Sequence, residues 1–176
     1  RVPASRMLGG AAGTGKMMKF ALGTLDAARI GTGAQALGVA TAAFEHALAY
    51  SGERQQFGKP INANQGIAWY LAEMACKLDM SRLLIYRAAC LEQEGKPFAK
   101  EAAMAKLYAT QFGREVVNTA LQIYGGYGYM HDYPLERMYR DIKITEIYEG
   151  SSEIQKVVIA NHLIPRKPRK KSESSK

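Results

Sequence analysis

The sequence has few of the features that mark a membrane span, a metal site or a secretory leader. Its 176 residues contain no run of 18 or more apolar side chains, which excludes a membrane-spanning helix. The three histidines, His46, His131 and His162, show no spacing typical of metal ligands, so no metal site is predicted. The chain opens on Arg1 with neither an initiator Met nor a basic and apolar leader, and we therefore expect a fragment of a longer protein.

Cysteine is also scarce, and both copies, Cys76 and Cys90, fall within one predicted helix. Their separation along a helix is about 21 Å, whereas the Cα atoms of a disulfide lie within about 7 Å of each other. The two thiols are therefore expected not to pair. We expect both to be reduced residues of the core, which suits the bacterial cytoplasm and the mitochondrial matrix equally.

The composition is that of a folded domain with an uneven charge. Apolar residues make up 47% and charged residues 23%, and 176 residues fit one compact domain. Residues 165–176 hold six basic side chains and one acidic one, which is +5 of the net charge of +8. A solvated, disordered tail is the simpler interpretation of this segment. A patch that binds nucleic acid or anionic lipid is the alternative.

Apolar residues recur at helical spacing along most of residues 1–164. The spacing predicts helices over about 16–50, from the end of the 51–64 connection to Gly95, over 98–124 and over 151–163, with a short element over 134–143. No segment alternates as a strand does, so strands are not predicted. The predicted class is all-α, an antiparallel up-and-down four-helix bundle. Its core is expected to include the stripe residues Leu37, Ala40, Phe44 and Leu48 and the methionines Met17, Met18, Met74, Met80 and Met104.

Four glycines, Gly23, Gly31, Gly33 and Gly38, interrupt the first predicted helix. Each costs up to about 1 kcal/mol relative to Ala in a helix interior. They indicate either close packing of one helix on another or the close approach of a large planar ligand.

Three segments contain residues suited to binding or catalysis. In ERQQFG (53–58), Arg54 is a planar donor suited to phosphate; otherwise it is a surface Arg beside an anchoring Phe57. In QIYGGYGYMHDYP (122–134), adjacent glycines allow a ligand to approach the backbone; otherwise they cap a helix among core tyrosines. In IYEGSSEIQ (147–155), Ser151 is a good N-cap, and Glu149 is either a carboxylate that stabilises the helix dipole or a reactive base.

Taken together, these segments resemble the C-terminal helical domain of the acyl-CoA dehydrogenase family. The resemblance covers residues 1 to 163 and also includes the VPAS loop, LDAARIG (25–31) and YRD (139–141). The pattern is most similar to the short-chain, butyryl-CoA type. It implies that Glu149 removes the α-proton of an acyl-CoA thioester. Some members of the family place the base one turn along the first helix, and that position is Ala28 here, so Glu149 is the only candidate that the family pattern supports.

The resemblance also assigns binding residues. Asp26, Arg29 and Gly150 match substrate contacts. Arg54 and Gln65 match groups that reach the FAD of a neighbouring subunit. The remaining FAD contacts match Gln122, Ile123, Tyr124, Gly125, Gly126, Ser151, Ser152 and Glu153.

The family further implies a homo-oligomer, commonly a dimer of dimers, with an electron-transfer flavoprotein as electron acceptor. The N-terminal helical domain and the middle β-domain of the family are missing from these residues, so the chain alone is expected to be inactive. Two alternatives remain: an acyl-CoA oxidase on the same fold, and a non-catalytic helical module whose basic tail binds nucleic acid.

Overall fold

In a computed structural model, the described part of the chain folds into five α-helices. The description covers Pro3, Arg6 and residues 14–165, and in the first helix it includes side chains only from position 23 onward. The predicted all-α class is confirmed. The basic tail from Arg166 onward and the side chains of Met17 and Met18 lie outside the described residues. The helices are α1 (Thr14–Glu53), α2 (Gln65–Gln93), α3 (Ala99–Tyr124), α4 (Leu135–Ile144) and α5 (Ser152–Leu163), with 3₁₀ turns at Ile61–Ala63 and Gly125–Tyr129.

Helix α3 is the centre of the fold, since it packs against each of the other four α-helices. Helices α1, α2 and α3 pack on one another pairwise, and α4 and α5 lie against α3. The core between them is formed mainly by Met74, Leu78, Val116, Val117, Leu135 and Ile142. The four-helix, up-and-down arrangement stays a prediction. No helix among residues 14–165 has both the length and the apolar character needed to cross a membrane.

The buried face of α1 consists of small side chains. Ala36, Ala40, Ala43 and Ala47 are fully buried. The predicted stripe is wrong only at Leu48, which is 47% exposed, because Leu37 and Phe44 are partly buried and pack against the core. Alanine suits this face because its small side chain lets two helix backbones approach closely, as small residues do in other helix pairs.

Of the four predicted glycines of α1, only Gly33 lies against other helices of the described chain. A Cβ there would lie 3.4 Å from Ile85 Cγ1 and 3.5 Å from the carbonyl oxygen of Ala105, which are ordinary van der Waals distances, so the packing on α2 and α3 is close but does not require glycine. A Cβ at Gly23, Gly31 or Gly38 would meet nothing described within 4 Å.

Helix α2 carries apolar side chains on its solvent-exposed face in addition to the face that packs on the other helices. Met80 is 46% exposed, and Cys76 and Cys90 are free and exposed, so their predicted place in the core is wrong. Met74 is buried as predicted and Met104 is half-buried. The prediction failed because α2 also carries exposed aromatic residues, so its apolar pattern does not distinguish the face that packs on α3 from the outer one.

A small hairpin corrects the prediction that the chain has no strands. β1 (Gln55–Gln56) pairs antiparallel with β2 (Lys59–Pro60), with Gln56 opposite Lys59. The two turn residues have positive φ, 53° at Phe57 and 76° at Gly58, as a tight two-residue hairpin turn requires. Phe57 is 92% exposed at the tip and does not anchor the loop within this chain.

Candidate functional site

Glu149 lies in a tight turn between α4 and α5 whose backbone is unusual. Its φ is 53° and that of Gly150 is 87°, so two successive residues lie in the left-handed region. For a residue with a Cβ, such as glutamate, this region costs about 1–2 kcal/mol. A backbone of this kind persists only where surrounding contacts hold it, and such residues cluster at functional sites.

Gln155 of α5 holds this turn from one side. The Gln155 side chain is fully buried, and its Nε2 donates hydrogen bonds to the carbonyl oxygens of Glu149 (3.3 Å) and Gly150 (2.8 Å). A Cβ at Gly150 would lie only 2.8 Å from Gln155 Nε2. Glycine is therefore needed at position 150 both for its φ and for the space that the amide occupies.

Lys106 of α3 holds the turn from the other side. Its side chain is buried, and Nζ donates hydrogen bonds to the carbonyl oxygen of Tyr148 (2.7 Å) and to that of Gly150. Burial, followed by the positive charge of Arg29, lowers the pKa of Lys106 to about 8, although the carboxylates of Glu149 and Glu146 oppose the shift. The charges of Arg29 and Glu149 therefore both act on the Lys106 ammonium, in opposite directions.

Arg29 and Asp26, the predicted substrate contacts on α1, form an ion pair with each other. Arg29 is almost fully buried. Its Nε is buried and has no hydrogen-bond partner among the described residues. Because the charge of Arg29 lowers the pKa of Lys106, Arg29 and its partner Asp26 lie near the side chain that holds the turn at Gly150.

Glu146 fixes the start of the turn. Its carboxylate accepts a hydrogen bond from Arg114 Nε at 2.8 Å and another from Lys143, and its carbonyl accepts the amide of Ser152 at 3.1 Å. Burial raises the pKa of Glu146, but the bonds from Lys143 and Arg114 outweigh it, so the net shift is downward. Glu146 is therefore an ionised anchor rather than a free base.

The predicted cap of α5 forms without its side-chain bond. Ser151 is the N-cap residue, yet its hydroxyl makes no capping hydrogen bond to the helix backbone. The hydroxyl instead hydrogen-bonds the Glu153 carboxylate, which lowers the pKa of that group. Ser151 and Ser152 are half-buried and Glu153 is exposed, so the N-terminus of α5 lies open beside the turn.

A cavity of about 530 Å³, called the Arg54 cavity below, lies near the ends of α1 and α3 that are far from the Glu149 turn. It brings together Arg54 and most of the predicted 122–126 segment; its lining includes Tyr50, Arg54, Ile123, Tyr124, Gly125, Gly126 and Tyr127. The Arg54 guanidinium lies 5.4 Å from the ring centre of Tyr127, and the rings of Tyr50 and Tyr124 stack 4.0 Å apart. The cavity thus combines a fixed cation with aromatic faces.

The two glycines of this cavity have open backbones. A Cβ at Gly125 or Gly126 would meet no described atom within 4 Å, so a ligand has access to the main chain there. Gln122 and Gln65 are exposed and are not among the lining residues.

The predicted site residues therefore fall into two groups far apart in one chain. Lys106, beside the Glu149 turn, and Tyr124, in the cavity, are separated by 18 residues of α3. That separation is about 27 Å along the helix axis. The Glu149 turn and the Arg54 cavity are consequently separate sites within a single chain.

Sequence reasoning missed Lys106 and Gln155. The signal for Lys106 was present, because it lies three or four positions from Ala102, Ala103, Ala109 and Thr110 on the buried face of α3. Gln155 gave no comparable signal, since a polar residue on a short helix is ordinarily exposed.

Comparison with known proteins places these features in a family. Residues 15–164 match the family model described as acyl-CoA dehydrogenase, C-terminal domain. Acryloyl-CoA reductase (NADH) of Anaerotignum propionicum is 59% identical over 94% of this chain and 41% of its own length. The structure of butyryl-CoA dehydrogenase from Megasphaera elsdenii is 49% identical, with a TM-score of 0.83, over 84% of this chain and 38% of that one.

A structure titled for the electron transferring flavoprotein of Acidaminococcus fermentans and flavin-based electron bifurcation also matches, with 47% identity and a TM-score of 0.83. The match covers 84% of this chain and 39% of that one. The chain thus spans about two fifths of the length of the relatives it matches.

Proposed function

The chain belongs to the acyl-CoA dehydrogenase family, and from this we propose that it is the C-terminal helical domain of a longer flavoenzyme that oxidises short acyl-CoA thioesters to trans-2-enoyl-CoA. The observation that carries the proposal is the position of Glu149, which is half-buried on a turn held by Lys106 and Gln155. The names of the relatives support a short acyl chain.

In this proposal Glu149 is the base. It takes the proton from the α-carbon of the thioester while the β-carbon loses a hydride, and the carbon–carbon double bond forms between them. A thioester α-proton is a poor acid, so the base needs a fixed position and a site from which water is excluded. The turn contacts supply the fixed position, and the paired Asp26 and Arg29 are the proposed substrate contacts.

FAD is the cofactor of this proposal, and the residues of the Arg54 cavity fit part of it. Bound FAD accepts the hydride from the substrate. The Arg54 guanidinium suits its phosphates, the faces of Tyr50 and Tyr127 suit an aromatic ring, and the open backbone of Gly125 and Gly126 permits close approach. Ser151, Ser152 and Glu153, at the start of α5, are the FAD contacts proposed on the Glu149 side.

The separation of these two groups supports an oligomer. A ligand that contacts both the Glu149 turn and the Arg54 cavity has to bridge about 27 Å within one chain. We propose that the Arg54 cavity of one subunit and the Glu149 turn of another complete a shared site. The fully exposed Phe57 at the hairpin tip, next to Arg54, is consistent with a contact of this kind.

Two electron acceptors are candidates for the proposed reaction. The match to a structure titled for an electron transferring flavoprotein supports such a protein as the redox partner. An acyl-CoA oxidase, in which oxygen takes the electrons, is the alternative on the same fold.

A second candidate function is the reverse reaction, and it is favoured by the 59% identity to acryloyl-CoA reductase (NADH). In that direction the protonated Glu149 returns a proton to the α-carbon, and the β-carbon accepts a hydride from the bound, reduced flavin, which is thereby oxidised to FAD. The same carboxylate serves both directions because a base in one direction is the acid in the other.

The test is a comparison of acceptors and directions with the full-length protein. We expect butyryl-CoA to bleach the yellow flavin anaerobically, and turnover to be faster with an electron-transfer flavoprotein than with oxygen. A faster rate of acryloyl-CoA reduction with the reduced flavoprotein would select the reverse function. A flavin that neither butyryl-CoA reduces nor acryloyl-CoA reoxidises would refute both.

A further inference from the structure

We propose that Lys106 is a positioning residue that fixes the backbone on both sides of Glu149 and so aims its carboxylate at the substrate. This inference rests on the proposed function, because it assigns a purpose to the geometry of the base. Lys106 itself lies behind the turn, on α3, and acts through the turn.

The first support is the kind of partner that Lys106 has. Its side chain is 1% exposed, and its ammonium donates to two main-chain carbonyls, those of Tyr148 and Gly150. These are the residues immediately before and after Glu149, yet they lie 42 and 44 positions from Lys106 in the sequence. A buried ammonium is costly unless it is well paired, so a lysine that served only to fill this space would be a poor choice beside Met or Leu.

The second support is the conformation that the ammonium holds. Glu149 has a φ of 53°, which a residue with a Cβ adopts only where neighbouring contacts impose it. Gln155 binds the carbonyls of Glu149 and Gly150, whereas Lys106 binds those of Tyr148 and Gly150. Removing Lys106 therefore releases the carbonyl that precedes Glu149 and leaves Gln155 to hold only the following side.

The third support is the ionisation of Lys106. The charged groups that face it are Arg29 from α1 and Glu146 and Glu149 from the turn; α5 contributes the uncharged Gln155 to the same contact. Burial and Arg29 bring the pKa of Lys106 down to about 8. The ammonium is therefore present at neutral pH and is lost as the pH rises through about 8, which weakens both carbonyl bonds.

The experiment compares three variants of the full-length flavoenzyme. Lys106→Met keeps the length of the side chain and removes all donors, and Lys106→Arg keeps the charge without titrating. Lys100→Met, at a partly exposed lysine on the same helix that pairs with Glu101, is the matched control. The readouts are kcat and KM for butyryl-CoA, the pH profile of kcat and the FAD content.

We expect Lys106→Met to keep its FAD and a KM within about twofold of wild type while kcat falls about 10- to 100-fold, as for a displaced catalytic group. The wild-type profile should lose activity with a pKa near 8, and this limb should be absent from both Lys106 variants. Lys106→Arg should recover part of kcat, and Lys100→Met should match wild type. Hydrogen exchange at the amides of residues 149–152 should be faster in Lys106→Met.

The proposal is overturned if Lys106→Met turns over at the wild-type rate with an unchanged pH profile. It is also overturned if kcat falls but exchange in the turn stays as in wild type. If Lys106→Met does not fold, Lys106→Gln replaces it with the same expected outcomes. If the wild-type enzyme turns over neither butyryl-CoA nor acryloyl-CoA, the proposed function is refuted. That outcome differs from refutation of the Lys106 proposal, which requires an active wild-type enzyme and a variant whose turnover or turn exchange is unaffected.

Discussion

The left-handed conformation of Glu149 predicts that glycine at this position gives a more stable fold than alanine does, although both substitutions abolish the proposed activity. The two variants to compare are Glu149→Gly and Glu149→Ala, because both remove the carboxylate and only the alanine keeps the Cβ. At a φ of 53°, that Cβ costs about 1–2 kcal/mol. The additional freedom of glycine in the unfolded chain offsets about 0.4–1 kcal/mol of this gain.

The net expectation is that Glu149→Gly unfolds with a free energy about 0.5–1 kcal/mol higher than Glu149→Ala. The control is Ala72, an exposed residue within α2, where Ala72→Gly should lower the free energy of unfolding by about 1 kcal/mol. The sign of the Ala-to-Gly difference is thus opposite at the two positions.

The assay is urea unfolding of the chain followed by circular dichroism at a single pH and ionic strength. Equal m-values for each pair would show that the two variants expose the same surface on unfolding, so that their free energies of unfolding are directly comparable. If Glu149→Gly is less stable than Glu149→Ala by as much as glycine costs in α2, the turn is not strained at this residue and the reasoning fails.

Two further predictions concern Gly128, which follows the glycines of the Arg54 cavity, and Glu146, which precedes the Glu149 turn. Gly128→Ala should destabilise the fold by about 1–3 kcal/mol in thermal melts, because its Cβ would lie 2.9 Å from the carbonyl oxygen of Leu121. The control Gly126→Ala, where a Cβ would meet no described atom within 4 Å, should melt near the wild-type temperature. Equal melting temperatures for the two variants would contradict the prediction. Glu146→Gln should be less stable than wild type at pH 7, because Lys143 and Arg114 hold the folded pKa of Glu146 below its ordinary value of 4.5 despite burial. The difference should vanish as the pH falls through that lowered pKa, and a gap that persists in acid would refute the ionised anchor.

The helices were predictable because their ends carry strong local signals. Gly95 and Gly125 both have positive φ where α2 and α3 end, as glycine at a helix C-terminus commonly does. The third helix, predicted over 98–124, runs over Ala99–Tyr124. Local backbone chemistry determines such boundaries, so they are visible in one sequence.

The packing of α1 and the hairpin were not predictable in the same way. A face of Ala36, Ala40, Ala43 and Ala47 carries little hydrophobic signal, because its advantage is the close approach of two helices and not the burial of large side chains. The hairpin has Phe57 in a left-handed turn position that Asn, Asp or Gly usually occupies, so the sequence lacks the ordinary turn signature.

The Glu149 turn was found through its resemblance to a family, whereas the contacts that hold it depend on tertiary structure. Lys106 is charged and yet buried, because its acceptors are carbonyls of a turn more than 40 residues away. Gln155 is buried for the same reason. Partners of this kind become visible only when the fold brings α3, α5 and the turn together.

The central claim is that Glu149 is the base, and anaerobic mixing of the Glu149→Gln full-length protein with butyryl-CoA tests it most directly. Glutamine keeps the size of the side chain and cannot accept the proton. The account predicts that the variant retains yellow, bound FAD and that butyryl-CoA binds without bleaching it, whereas the wild-type flavin is reduced. Reduction of the variant flavin at the wild-type rate would contradict the assignment.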